Sequence, residues 1–436
     1  MRGISNRREF FKRSALAGAG FWVAGTCGVA QSRSANEKLN VGIIGVHSRG
    51  ASNMAEVAKA GENIVALCDV DANYLAEAAK KYPKAKTYVD WRKMLDDKAI
   101  DAVTVSTTEH THALASVWAM KRGKHVYCEK PLAHSVYEAR VMRETSKQMK
   151  VATQMGTQIH ASDNYRRVVE LVQSGAIGPV REAHAWVDQA IDGPRSRPAE
   201  TMPVPPNLDW DLWLGPAPWR PYHFCYFKVR SMSWQNWWDF GNGALGDMGS
   251  HIIDLPFWAL ELKCPLTVEA EGPLPVREET YPDQLTVRWE HPARGKRPPV
   301  KLTWYDGHQR PESPEGVDLM KWHLGVKFVG EKGILLADYR RFMLLPKDRF
   351  EGFKPPEPST APSLGHHQEW IHACKTGAPT LCNFDYSGAL VEHDLLGTVA
   401  FRVGKKLQWD PVNLKATNCP EADRFLRREY RKGWTL

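Results

Sequence analysis

Three side chains, far apart in the chain, have the chemistry to move a proton and to steady an alkoxide: Lys130, Asp247 and His251. A histidine is the usual group for taking a hydroxyl proton near neutral pH, and a nearby carboxylate orients and charges it. Asp247 and His251 stand four apart in Gly241-Asn242-Gly243-Ala244-Leu245-Gly246-Asp247-Met248-Gly249-Ser250-His251. If Asp247 starts a helix, both side chains share one face. The glycines ahead of them permit close approach of another body. Lys130 lies in Glu129-Lys130-Pro131, just after the apolar run Val126-Tyr127-Cys128. Alone, the Asp/His pair reads equally as a cap and a core histidine, and Glu129-Lys130 as a surface ion pair. Asp254 follows His251 at three residues, but a metal would need third and fourth ligands that the chain does not offer. No metal is expected, and Asp254 reads as structural.

The elements that must position these groups are legible upstream. The apolar run Leu39–Val46 leads into Gly45-Val46-His47-Ser48-Arg49-Gly50 and then a helix-like stretch, Ala51–Ala60. Strand, glycine turn and helix is the order that a dinucleotide pyrophosphate needs, because the helix start offers free N–H groups. In G-x-G-x-x-G register the middle position is His47, so the turn reads as altered, with Gly45, His47, Ser48 and Arg49 as its cofactor contacts. Ile64–Cys68 reads as a buried strand ending in Asp69, about two dozen residues after Gly45. A carboxylate there holds the adenosine ribose hydroxyls and repels a 2′-phosphate, which favours NAD over NADP. Ala102–Thr107 reads as a third strand, Thr108–His112 as a loop, Ala113–Arg122 as a helix and Val126–Cys128 as a fourth strand. This alternation predicts a parallel sheet with helices on both faces. Loops at the strand ends, carrying Thr107, His112, Glu129 and Lys130, gather round one crevice.

At this point a resemblance becomes specific. Gly123–Leu132 resembles the E-K-P signature of the glucose–fructose oxidoreductase/inositol dehydrogenase (Gfo/Idh/MocA) family, and Gly241–Asp254 resembles its D-x-G-x-H motif. Phe328–Gly333 adds weaker support, and the resemblance runs over about residues 38–434. It implies that Lys130 lies near the nicotinamide and the substrate hydroxyl, that Asp247 and His251 act with it, and that the Lys130–Pro131 bond is often cis. It also implies a small carbohydrate or cyclitol substrate, NAD as cofactor and a homo-oligomer, dimer or tetramer; a tightly held NAD is expected if the protein is exported, since no free NAD pool exists outside the cytoplasm. The sequence departs from the family at His47 and at Thr108-Glu109-His110-Thr111-His112, where a Pro-(Asp/Asn)-x-x-His pattern loses its proline. Hydride transfer at a secondary alcohol carbon is the first reading. A glycoside hydrolase working through NAD-dependent oxidation and elimination is the second, and a non-catalytic sugar-binding protein the third.

The length of 436 residues allows two domains after a leader. Residues 36–155 are expected to form the Rossmann domain, and 156–436 an α+β domain whose open sheet is mostly antiparallel and whose last helices can pack back on the first domain. Alternation in Arg181–Val187 opens the second sheet, which continues through Leu266–Ala270, Asp283–Glu290, Val300–Tyr305, Val326–Gly330 and Ile334–Asp338. Between them, Asp192–Pro221 is rich in proline and tryptophan and reads as an ordered arm rather than a solvated linker; the family resemblance implies that it covers the substrate or a neighbouring subunit. Aromatic faces stack on sugar rings, and Tyr222 and Trp238 are the chosen candidates.

The net charge of +8 is concentrated at the start. Arg2, Arg7, Arg8, Lys12, Arg13 and Arg33 against Glu9 leave only +3 for the rest, with no basic block to suggest nucleic acid. Asn6-Arg7-Arg8-Glu9-Phe10-Phe11-Lys12 followed by Ala15–Ala30 reads as a twin-arginine signal within residues 1–35. Export to the periplasm is expected, with no stable membrane span afterwards, since the apolar run is glycine-rich and weak. The cysteines are scattered and predict neither a disulfide framework nor a zinc site.

Overall fold

The computed structural model describes residues 37–190, 196–227 and 232–436. The leader expected in residues 1–35 lies outside the described residues, as does the start of the proline-rich arm.

The first sheet is built from β1 (Asn40–Ile44), β2 (Asn63–Cys68), β3 (Lys86–Tyr88), β4 (Ala102–Val105), β5 (His125–Cys128) and β6 (Thr153–Met155). Every pairing is parallel and the order is β3-β2-β1-β4-β5-β6. Crossover helices α1 (Arg49–Lys59), α2 (Ala72–Lys81), α3 (Trp91–Leu95), α4 (Glu109–Lys121) and α5 (Val136–Met149) separate the strands. The order reverses between β1 and β4, and a crevice opens there at the carboxyl ends of the strands. β1, β4 and β5 are buried almost throughout, which is why they read as continuous apolar runs rather than alternating ones.

Two elements of this half escaped the sequence. Strand β3 is short and its residues are exposed or half-exposed, so no apolar run marks it. Helix α4 starts at Glu109, not Ala113, and takes the expected loop Thr108–His112 into its first turn. Nearly all of α4 is buried, from Glu109 to Met120, so no amphipathic stripe betrays where it begins.

After helix α6 (Asp163–Gln173), the second sheet gathers β7 (Val180–Val187), β8 (Thr267–Glu271), β9 (Thr286–His291), β10 (Val300–Tyr305), β11 (Leu324–Gly330), β12 (Gly333–Ala337), β13 (Phe342–Leu345), β14 (Leu407–Asp410) and β15 (Lys415–Ala416). Its order is β13-β12-β11-β7-β10-β9-β8-β14-β15, antiparallel except for the parallel pair β7/β10. The first strand in sequence thus sits in the middle of the sheet, and the last two come from beyond the helices.

The arm carries two short helices, α7 (Trp210–Leu214) and α8 (Phe224–Phe227), and lies against its own chain's first domain. The Ala72 amide donates to the Asn207 carbonyl at 2.8 Å, the Asp209 amide donates to Val70 O at 2.9 Å, and Asn207 Nδ2 donates to Asp71 at 2.9 Å. A cluster of aromatic rings, including Trp210, Trp213, Tyr226, Trp237 and Phe240, gives the arm its own small core. Then come α9 (Gly243–Ile252), α10 (Asp254–Ala259), α11 (His366–Thr376) and α12 (Phe384–Val403). Helix α11 returns to the first domain, where Trp370 and Ile371 join the core formed by β1 and its neighbours. Helix α12, capped by Asn383 at its start and by Gly404 in left-handed conformation at its end, is buried along most of its length against α5 and β8.

Candidate active site

A cavity of about 670 Å³ occupies the crevice at the β1/β4 switch point. One end is backbone. Gly45 has φ +83°, and a side chain there would meet the Ser106 carbonyl at 2.4 Å. A Cβ on Gly50 would stand 1.9 Å from Gly45 O. Both glycines are therefore demanded by the turn itself, whereas the middle position is not. His47 is exposed at the cavity's edge and stacks on Tyr74, which also lines it, with centroids 3.8 Å apart and planes 7° from parallel. Ser48 takes up the turn with φ 51° and makes no side-chain cap; the Gly50 and Ser52 amides donate to His47 O and Ser48 O, which leaves the Arg49 and Ala51 N–H groups for a ligand. The departure at His47 is accommodated by the side chain leaving the turn.

Asp69 stands at the end of β2. Its two carboxylate oxygens accept from the Val46 and Asp71 amides, each at 3.0 Å, which aims the group along the cavity wall. Burial of the carboxyl raises its pKa, against these hydrogen bonds. Gly45, His47, Ser48, Arg49, Asp69, Thr107, His112, Glu129 and Lys130 all line this one cavity. Within it their roles differ. His112 is spent on the protein: Nδ1 lies 2.8 Å from the Pro131 carbonyl and Nε2 3.0 Å from that of Thr107, so the ring ties two strand-end loops together. Glu129 is also a scaffold, receiving Asn53 Nδ2 at 2.9 Å and Gln158 Nε2 at 3.0 Å, with Arg49 at 3.9 Å.

The other end is side-chain chemistry. The turn after β5 has a cis Lys130–Pro131 bond and sends Lys130 to Asp247, with which it forms a nearly buried ion pair, and to the Asp247 carbonyl at 3.3 Å. Burial works against the Asp247 charge, yet Lys130 beside it holds the carboxylate below its usual range. Asp247 does not start its helix; α9 begins at Gly243, and the pair sits in its second and third turns. His251 follows on the same face and lines the cavity, with its Nδ1 lacking any hydrogen-bond partner. Burial, then the Lys130 charge, pulls its pKa down to about 3, so the resting imidazole is neutral. Asp254 lies elsewhere, bonded to His160 Nδ1 at 2.9 Å and to the Tyr386 hydroxyl at 2.7 Å.

Glu109 was not singled out as a site residue, yet it belongs here. It is buried at the start of α4, and Oε1 accepts from the Asn242 amide at 3.2 Å while Oε2 has no partner. A side chain on Gly241 would come within 2.6 Å of it. Burial first, and Asp247 second, push its pKa up to about 8, so it is an acid rather than an anion at neutral pH. Its signal in the sequence was only its place in the altered T-E-H-T-H segment.

Tyr222 and Trp238 need correction as substrate residues, because neither lines this cavity. Tyr222 is packed edge-on against Trp210 with centroids 5.2 Å apart. Trp238 is buried, donates Nε1 to Arg277 O at 3.0 Å and packs on Tyr281. The aromatic lining comes from Tyr74 and Trp91 of the first domain and from Trp213, Phe227 and Trp234 beyond it, together with Gln235. In a stretch this rich in tryptophan, sequence spacing cannot say which ring faces inward.

The residues fit a dinucleotide. The glycine-bounded turn and the uncapped start of α1 offer amides to a pyrophosphate, and Asp69 is placed for ribose hydroxyls. Fold and site together define a two-domain protein with a dinucleotide-binding cleft between parallel-sheet strand ends. Residues 39–157 match the model of the oxidoreductase family NAD-binding Rossmann fold, and residues 185–281 match that of the family's C-terminal alpha/beta domain. The chain belongs to the Gfo/Idh/MocA family, and NAD is its cofactor.

Among its relatives, an inositol 2-dehydrogenase of Salmonella typhimurium is 31% identical over 150 residues, 34% of this chain and 45% of that protein. A levoglucosan dehydrogenase of Pseudarthrobacter phenanthrenivorans is 26% identical over 228 residues, 50% of each chain. The chain thus aligns with about half the length of these curated relatives. The WlbA dehydrogenase of Bordetella pertussis, solved with NADH and UDP-GlcNAcA, shares the fold over 86% of this chain and 98% of its own, with TM-score 0.60 and 16% identity.

Proposed function

We propose that this protein oxidises or reduces a secondary alcohol carbon of a sugar, glycoside or cyclitol. The observation that carries the reading is the convergence of Lys130, Asp247 and a neutral His251 with an unpartnered nitrogen at one end of the NAD cleft. NAD, when bound, supplies the hydride acceptor or donor at its nicotinamide. His251 takes the hydroxyl proton. Lys130 hydrogen-bonds the same oxygen and offsets the charge that develops on it. As negative charge builds on the substrate oxygen it counters the Lys130 field, and the proton affinity of His251 rises when a proton must be accepted. Asp247 holds Lys130 in place and neutralises it between turnovers. The inositol and levoglucosan dehydrogenases among the relatives support a polyhydroxylated substrate.

The Arg7-Arg8 motif supports export by the twin-arginine route, and a homo-oligomer is proposed with it from the family resemblance. Among the described residues no helix is long and apolar enough to cross a membrane. With no free NAD pool outside the cytoplasm, the cofactor would travel with the folded protein. The Leu212–Trp213 segment of the arm, which lines the cleft, is placed to retain it.

Mass spectrometry of heat-denatured protein should detect released NAD. A panel of sugars, glycosides and cyclitols should then give cofactor reduction with at least one. Purified protein that neither releases nor binds NAD would sink the proposal. Glycoside cleavage with no net NADH would move it to the elimination reading.

A further inference from the structure

A second cavity, of about 620 Å³, lies behind the start of α9, between the α5 start, the end of α12 and the C-terminal tail. Its lining brings Arg402, Arg428 and His134 together with a half-buried Asp239 and the exposed Glu278 and Glu429. Arg402, in the last turn of α12, lies over the rings of Trp238 and Phe425 at 4.8 and 4.1 Å, and among the described residues no hydrogen bond or ion pair engages its guanidinium. Burial pulls that guanidinium down to about 10, countered by Asp239. Asp239 itself is already paired with the buried Arg220.

His134 is only 8% exposed, and its ring nitrogens engage no side chain among the described residues, the Trp238 backbone being their one polar neighbour. Arg428 spends two nitrogens on Glu138 and the His110 carbonyl and keeps Nη1 buried without a partner. Arg424 adds a further charge at the exposed mouth, where Glu278 and Glu429 are also exposed. Buried donors without acceptors are costly unless something fills the space between them.

We propose that this cavity is a binding site for an oxyanion borne by a small molecule, a carboxylate or a phosphate, held by the guanidiniums of Arg402 and Arg428 and by a His134 ring nitrogen. Two arginines and a histidine at one pocket match the planar, forked recognition such anions receive. The site is separate from the catalytic cleft, but Asn242 joins them: its Nδ2 donates to the His134 carbonyl at 3.0 Å and its backbone amide donates to Glu109 at 3.2 Å.

Calorimetric titration of the NAD-saturated protein tests this, since bound NAD keeps anions out of the pyrophosphate turn. Inorganic phosphate and glucuronate form the two arms at constant ionic strength. The expected result is saturable one-to-one binding in at least one arm, and which arm saturates assigns phosphate or carboxylate. Arg402→Gln should weaken it about tenfold or more, the loss of one charge-assisted pair, with the NAD content unchanged. Arg424→Glu, at the exposed mouth where folding is not at stake, should weaken it in the same direction by a few fold. Absence of saturable binding in both arms, or binding that neither variant alters, overturns the proposal.

Discussion

The two ends of the catalytic cleft solve recognition by different means. At the pyrophosphate end the protein uses backbone: two glycines, a turn and the N–H groups that open α1. Its side chains are exposed, and His47 could replace a glycine by stacking on Tyr74. At the Lys130 end it uses side chains brought from three separate elements, buried or nearly so and dependent on their neighbours. The comparison teaches that backbone recognition tolerates substitution wherever a side chain can leave. A buried charge constellation does not, since removing one member leaves another without a partner.

The sharpest test of that contrast is Lys130→Ala. Turnover should fall by about 10²–10⁴-fold, the combined scale of lost proton handling and lost oxyanion stabilisation. NAD released on denaturation should stay at the parental amount; loss of NAD together with activity would show the two ends are not separable. Next comes Glu109→Gln. The folded pKa of about 8 lies above the unfolded 4.5, so the native state holds the proton more tightly. The associated stability is full below 4.5 and is lost as pH rises through about 8, a swing on the order of a few kcal/mol. Denaturant melts of parent and variant should therefore diverge across that window, with the variant relatively more stable at the alkaline end. Parallel profiles would remove Glu109 from the titrating cluster. In steady-state kinetics over the same pH range, kcat/KM should show no limb from His251 between pH 5 and 8, since its pKa is pulled down to about 3.

At the backbone end, Gly50→Ala forces a methyl into the Gly45 carbonyl, and NAD affinity should drop about 10- to 100-fold, the scale of an overpacked site. Smallest of all, His47→Gly removes an exposed ring stack and should change NAD affinity by no more than about tenfold. An effect larger than that of Gly50→Ala would reverse the contrast drawn above.

What could be read in advance follows the same division. The parallel sheet was legible because its strands are buried on both faces, and the second sheet because Val300–Tyr305 and its partners alternate. Gly45, Asp69 and Lys130 were legible because strand ends fix where such residues fall. The start of helix α4, strand β3 and the strands after Ala337 carry no hydrophobic pattern strong enough to mark them.

By itself the sequence determined the local order of elements, the demand for glycine at two points of the turn and the residue types able to handle a proton. It could not determine which distant groups meet. Lys130 and Asp247 are 117 residues apart, and Glu109 acquires its acidic proton only because α4 and α9 bury it beside Asp247. Nor could it decide that Trp234 rather than Trp238 faces the cleft, or that Arg402 and His134 share a pocket. Burial and charge proximity are properties of packing, and packing between elements is written in three dimensions, not in spacing along the chain.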